Sequence, residues 1–226
     1  MNTQINITEN GKTTLSTAGK YCDRNIDVNV EVDSFDADAF VQGTIEGEFV
    51  SDKVTRLRQG AFAGCSNITY VSLPNCTTFT GPRHFSGCSK VSAVNLPKLT
   101  TITDANQTFA DMANITEISL PSLTKLPGVN ATFIRGAKLK KVSMPLLGGQ
   151  SIGTNCFRDC HYLATLVLGG DTLNPLSATT AFSGTGDWSA TGLRIYVPDD
   201  LVDSYKTATN WTTLANKIRP MSELEE

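Results

Sequence analysis

The sequence predicts a repeat solenoid with a parallel β-sheet on one face, preceded by a small N-terminal β-module and closed by a short helical C-terminal cap. Three observations carry this expectation. Six phenylalanines, Phe62, Phe85, Phe109, Phe133, Phe157 and Phe182, recur at steps of 23, 24, 24, 24 and 25 residues. An apolar triplet with the spacing L-x-x-L-x-L follows each of the first five. A proline ends that triplet four times, at Pro74, Pro97, Pro121 and Pro145. A unit this short cannot bury its apolar face alone, so copies must stack and share one core.

Each repeat position has a physical reading. The triplets are Ile68/Val71/Leu73, Val91/Val94/Leu96, Ile115/Ile118/Leu120, Leu139/Val142/Met144 and Leu163/Leu166/Leu168. Their last two members are two apart and face one side of a short strand. Proline then stops the strand, because it cannot donate to a ladder. The chain turns through Phe79, Ile102 or Leu126 and returns to the next phenylalanine. The fifth copy has Gly169 in place of proline, and a stretched sixth copy, Leu193/Ile195/Val197, regains Pro198. Three residues after the first five phenylalanines stand Cys65, Cys88, Met112, Gly136 and Cys160. Methionine and glycine at this position favour packing over chemistry, with cysteine as a small buried hydrophobe. Stacked Cys65 and Cys88 leave a bridge open as the alternative to buried thiols.

The run GAFAGCSNITYVSLPNCTTF resembles the BspA-type leucine-rich repeat, whose consensus reads A-F-x-x-C-x-x-L-x-x-V-x-L-P. The resemblance covers about Val54 to Pro198. It implies a curved solenoid with a parallel sheet on one face, and membership of a group that includes cell-surface adhesins. Gly136, Gly169 and the stretched last copy depart from the pattern.

The ends follow different rules. Residues 1–34 read as a β-module for attachment or oligomerisation. Ile5-Asn6-Ile7-Thr8 alternates, Asn10-Gly11 supplies turn chemistry, and Ile26, Val28, Val30 and Val32 mark a period-2 strand. The stretch ITENGKTTLSTAGKYCDRNIDVNVEV resembles a segment near the start of many phage and prophage tail and structural proteins of Gram-positive bacteria. Residues 35–53 are a linker and N-terminal cap. Asp33, Asp36 and Asp38 lack the glycine and distal glutamate of a calcium loop and read as a solvated turn. Residues 54–198 form the solenoid, and 199–226 a helical cap and tail. There, Pro198-Asp199-Asp200-Leu201 starts a helix with aspartate as N-cap. Leu201, Val202 and Tyr205 face the solenoid, and a second short helix carries Trp211, Leu214 and Ile218. Trp211 is expected to anchor the cap and Met221–Glu226 to fray. This segment resembles the usual ending of such repeat proteins.

Composition narrows the chemistry. Of 226 residues 40% are hydrophobic and 18% charged, which excludes disorder. A net charge of −3 without a basic run argues against nucleic acid and anionic membranes as partners. No apolar run reaches bilayer length, and the N-terminus lacks the basic start and apolar core of a signal peptide. The count of 29 threonines favours exposed β-surface. Two histidines, no CxxC pair and no further ligands beside Cys156 and Cys160 leave no expected metal or cofactor. P-loop, G-x-S-x-G, G-x-G-x-x-G and H-E-x-x-H motifs are all missing. Cys160 and His161 are adjacent and point apart, so a nucleophile pair is not expected. Asn67-Ile68-Thr69 and Asn114-Ile115-Thr116 match glycosylation triplets by chance. The chain is therefore expected not to be an enzyme.

What remains is surface. The strands expose Tyr70/Ser72, Ala93/Asn95, Glu117/Ser119, Lys141/Ser143, Thr165/Val167 and Arg194/Tyr196. The second members form a nearly uniform Ser/Asn row, while the first vary. Tyr70, Glu117, Lys141, Thr165, Arg194 and Tyr196 are the candidate binding face; plain solvation is the alternative. The expectation is a non-enzymatic virion component of a phage or prophage, of tail, baseplate or fibre type. The N-terminal module would join other virion proteins or further copies as a homo-oligomer. The solenoid would meet a host surface protein or glycan. The alternative is a bacterial cell-surface adhesin.

Overall fold

The structure, a computed structural model, describes residues 5–7, 13–15, 32–35, 47–127 and 130–225. In chain order the strands are β1 (Ile5–Ile7), β2 (Thr13–Leu15), β3 (Val32–Phe35), β4 (Gly47–Val50), β5 (Arg56–Leu57), β6 (Ile68–Ser72) and β7 (Thr78–Phe79). There follow β8 (Ala93–Asn95), β9 (Thr101–Ile102), β10 (Glu117–Ser119), β11 (Lys141–Met144), β12 (Thr165–Leu168), β13 (Arg194–Val197) and β14 (Ile218–Pro220). One α-helix, α1 (Val202–Thr207), lies near the C-terminus.

The triplet strands stack in parallel, as the repeat requires. They form two stretches, β4-β6-β8 and β10-β11-β12-β13-β14. Register advances one coil per strand, lining up Glu48, Tyr70 and Ala93 in turn, then Glu117, Lys141, Thr165 and Arg194. A second parallel series, β3-β5-β7-β9, runs along the return segments. Bridges Thr101–Lys125 and Ile152–Leu176 extend its pattern. Antiparallel pairing among the described strands is confined to β1 with β2.

Two expectations near the N-terminus change. The sheet begins at β4, inside the stretch expected to be linker and cap. Ser34 and Phe35 belong to a strand, because the exposed edge of β5 offers backbone partners that a free linker would leave to water. Apart from Val32, the strand expected over Ile26–Val32 lies outside the described residues, as do the Asn10-Gly11 turn and Asp36 and Asp38.

The six phenylalanines form one stack inside the solenoid. Successive ring centroids are 5.3, 5.8, 5.4, 5.1 and 5.2 Å apart, with interplanar angles of 4°, 8°, 6°, 3° and 19°. Phe49 closes one end edge-on at 5.1 Å and Trp211 the other at 5.8 Å. The sharp turn around each of the first five rings is made by left-handed residues two before and two after it; Phe182 has only the one after it. The first set is Gly60, Arg83, Gln107, Ala131 and Asn155; the second is Gly64, Gly87, Asp111, Arg135, Asp159 and Gly184. Side chains in that conformation cost about 1–2 kcal/mol each. Asp111 and Arg135 recover part of it by pairing across coils through two hydrogen bonds, the longer at 2.7 Å.

Threonine does more than fill exposed surface. The hydroxyls of Thr77, Thr100 and Thr124 donate to the carbonyls of Thr55, Thr77 and Thr100, one coil earlier. Gly169 replaces proline for a steric reason. A Cβ there would meet the Pro145 oxygen at 2.5 Å, and one at Gly170 would meet the Gly148 nitrogen at 2.3 Å. Backbone passes backbone too closely here for any side chain.

The C-terminus departs from expectation in three places. Asp199 caps nothing; its Oδ1 accepts from the Ser222 N–H at 3.0 Å and so pins the tail expected to fray. Ile218 is in β14 rather than a helix, because β13 has an open parallel edge beside it. Pro220 then blunts that edge. Trp211–Lys217 is a 3-10 turn. Trp211 and Tyr205 are buried and meet edge-to-face at 5.1 Å. Asn174 latches both. Its carbonyl accepts from Trp211 Nε1 at 2.8 Å, and its N–H donates to the Tyr205 hydroxyl at 2.9 Å.

Candidate binding surface

A strand points alternate residues to opposite sides, so the sheet face is set by register alone. The first outward row reads Glu48, Tyr70, Ala93, Glu117, Lys141, Thr165 and Arg194. Lys141 Nζ lies 3.5 Å from Glu117 Oε1, an exposed pair worth at most about 1 kcal/mol. Arg194 is exposed; its backbone N–H donates to the Ala164 carbonyl at 2.8 Å, and its guanidinium has no hydrogen bond or ion pair among the described residues. Tyr70 and Thr165 are half-buried.

The second row is less uniform than the sequence implied. Asn95 Nδ2 donates to Ser72 Oγ at 2.8 Å, so small polar groups here tie coils together. Val167 is buried, and Tyr196, expected on the open face, is only 6% exposed. Tyr196 sits opposite Arg219 of β14 and shares with it, Arg194 and residues 222–225 a recess of about 470 Å³. The returning C-terminal segment is what takes the tyrosine out of solvent.

Along the rim of this face runs another row, one residue before each triplet: Asn67, Lys90, Asn114, Lys138 and Tyr162. Lys90 Nζ donates to Asn67 Oδ1 at 2.8 Å and Lys138 Nζ to Asn114 Oδ1 at 2.7 Å. Sequence reasoning missed this row's end, where Tyr162 and Trp188 stand exposed. Tyr162 was visible as the break in a series of Asn and Lys. Trp188 lies in the stretch that lengthens the last copy and has no counterpart to compare.

The buried nucleophiles are structural. Burial pushes the Cys76, Cys156 and Cys160 thiols up to about 12, and Cys88 higher still. Protonated thiols are neither nucleophiles nor ligands. Cys88 Sγ donates to the Phe62 carbonyl and Cys160 Sγ to that of Phe133, both at 3.0 Å. Thr185 takes the same place in the sixth coil, donating to Phe157 at 2.6 Å. The position is thus an inter-coil clasp as well as a packing site. Cys65 and Cys88 are not bridged. His161 turns to Trp188, not to Cys160. Among the described residues no three His, Cys, Asp or Glu converge as metal ligands.

His84 is fully buried. Its Nε2 donates to the Thr80 carbonyl at 3.2 Å, which leaves Nδ1 to accept from the Thr108 hydroxyl at 3.4 Å. Burial lowers its pKa from 6.5 to about 4 and keeps it neutral.

A family model described as BspA type leucine rich repeat region matches residues 33–164, in 6 copies. The crystal structure of a T. pallidum leucine rich repeat protein (TpLRR) is similar at 20% identity and a TM-score of 0.51, covering 96% of this chain and 94% of that one. The pneumococcal vaccine antigen PcpA is similar at 13% identity and a TM-score of 0.49 over 77% of this chain, which spans 40% of the PcpA chain. No curated protein matches. Among the described residues no helix is long and apolar enough to cross a membrane.

Proposed function

The chain belongs to the BspA type leucine rich repeat family, and from that premise we propose that it is a non-enzymatic binding component of a phage or prophage virion. One observation carries the binding reading. The interior phenylalanine row recurs unchanged in all six coils and the triplet rows stay apolar throughout, while the outward row varies through Tyr70, Glu117, Lys141, Thr165 and Arg194. Packing constrains the first kind of row and leaves the second free for recognition, as stacked repeats allow. The resemblance of residues 7–32 to phage and prophage tail proteins supports the virion reading. Short strands such as β1 and β2 gain most from partner strands, so this end is assigned to attachment and oligomerisation. The outward row is assigned to a host surface molecule.

Immunogold labelling of induced lysogens tests the location. Label on released particles is the expected result. Label on intact cell envelopes instead would favour the surface adhesin, a role common in this family. A chain lacking residues 1–31, which keeps β3, is expected to retain its melting temperature and lose incorporation. Normal incorporation of that chain would refute the division of labour.

A further inference from the structure

Two large aromatic side chains stand in solvent at the rim of the sheet face: Tyr162 is 41% and Trp188 62% exposed. An indole left in water forgoes the burial that aromatic rings elsewhere in this solenoid obtain. Trp188 is nevertheless held firmly. Its backbone N–H donates to the His161 carbonyl at 3.0 Å, and the backbone N–H groups of Gly186 and Ser189 donate to the carbonyls of Cys160 and Gly186 at 3.0 and 3.1 Å. The His161 ring covers one indole face, centroids 4.1 Å apart and planes 21° apart. Gly184 keeps that seat clear, since a Cβ there would meet His161 Cε1 at 3.2 Å. The Tyr162 ring stands across the indole at 5.6 Å and 74°. The result is a preformed corner with an aromatic floor and an aromatic wall.

We propose that this corner is a carbohydrate site that takes a neutral pyranose ring. One face of such a ring is a flat set of C–H bonds that lies on an indole, while its edge carries hydroxyls. Charge selects the class. Residues 183–192, Ser-Gly-Thr-Gly-Asp-Trp-Ser-Ala-Thr-Gly, hold one acid, Asp187, and no cation, so the corner gives an anionic ligand no counter-charge, and the rim lysines, Lys90 and Lys138, are engaged with Asn67 and Asn114. Size argues against a protein partner as the main occupant. Protein interfaces need on the order of 800 Å² per side around an apolar core, and here two side chains are bordered by Ser, Thr and Gly. The rim row offers a continuation. Asn67 and Asn114 accept lysine with Oδ1 and keep their amide N–H groups free for hydroxyls. The row alternates asparagine and lysine, so a linear glycan along the rim would meet such an amide at every second coil. The site rests on reading the solenoid as the binding part of the molecule, but it uses the rim and not the outward row.

Intrinsic fluorescence of the full chain tests it, because Trp211 is buried and Trp188 reports the corner. Cellohexaose, chitohexaose and mannohexaose are titrated to about millimolar concentration. At least one is expected to shift the emission saturably. Tyr162→Ala should weaken that response about tenfold or more, and Arg194→Ala should leave it unchanged. Trp188→Ala, read by calorimetry, should lose the binding. Both aromatic variants alter exposed groups, so unchanged melting curves confirm that they fold. No response to any of the three sugars, or full binding by Trp188→Ala, overturns the proposal. Trp188-dependent binding to immobilised gelatin without a sugar response also overturns it, in favour of a polypeptide. Particle labelling is read independently, so a virion role and this site can fail separately.

Discussion

His84 shows how one residue sets a pH response. Its contacts are neutral: the Phe79 ring at 4.7 Å, the Thr80 carbonyl and the Thr108 hydroxyl. The folded imidazole titrates at about 4 and the unfolded one near 6.5. Between these values the unfolded chain binds a proton that the folded chain does not. The contribution is therefore complete above pH 6.5 and is lost as pH falls toward 4, on the order of 3 kcal/mol in all. Urea titrations at pH 7 and pH 4.5 should differ more for the wild type than for His84→Gln; an equal difference would remove His84 from the account. At this scale the sequence was partly legible. The left-handed turns went unread: Gly60, Gly64 and Gly87 are their sequence signal, but Arg83, Gln107 and Arg135 occupy equivalent places and hide the regularity. The clasp made by Cys88 and Cys160 was hidden for another reason. Methionine and glycine elsewhere in the row reveal tolerance, whereas only Thr185 reveals the donor.

Among the elements, the phenylalanine stack carries the interior. Phe109 has a parallel ring at 5.8 Å on one side and 5.4 Å on the other. Phe109→Ala should cost about 3–5 kcal/mol, read by chemical denaturation. A loss under about 1 kcal/mol would place the ring outside the core. The triplet strands were legible because period, proline and apolar pairs agree. The series β5-β7-β9 was not, since two-residue strands carry no period and take their pairing from neighbouring coils. β14 was read as helix because Ile218-Arg219-Pro220 has no strand pattern until β13 offers its edge. The outward row followed directly from register, and Tyr196 failed only because the path of the tail over it is a tertiary fact.

In the whole molecule each coil touches only its neighbours, so the ends are where a solenoid is vulnerable. Removing residues 199–226 would strip Tyr205, Trp211 and β14 and uncover Phe182 and the edge of β13. Light scattering should then report self-association, while a monomer with an unchanged melting curve would show the cap to be dispensable. The stack of rings has one more consequence, and it is genetic. Every coil returns the chain to the same place in cross-section, so excising the residues after Phe85 through Phe109 would bring Ala110 into the place of Ser86 and keep all later rows aligned. Losing a few residues fewer would turn every later row off its face. The gene can therefore lengthen or shorten this protein in whole coils by unequal crossing-over between its own copies, while single substitutions on the outward row change what each coil displays. Reach and recognition can evolve separately.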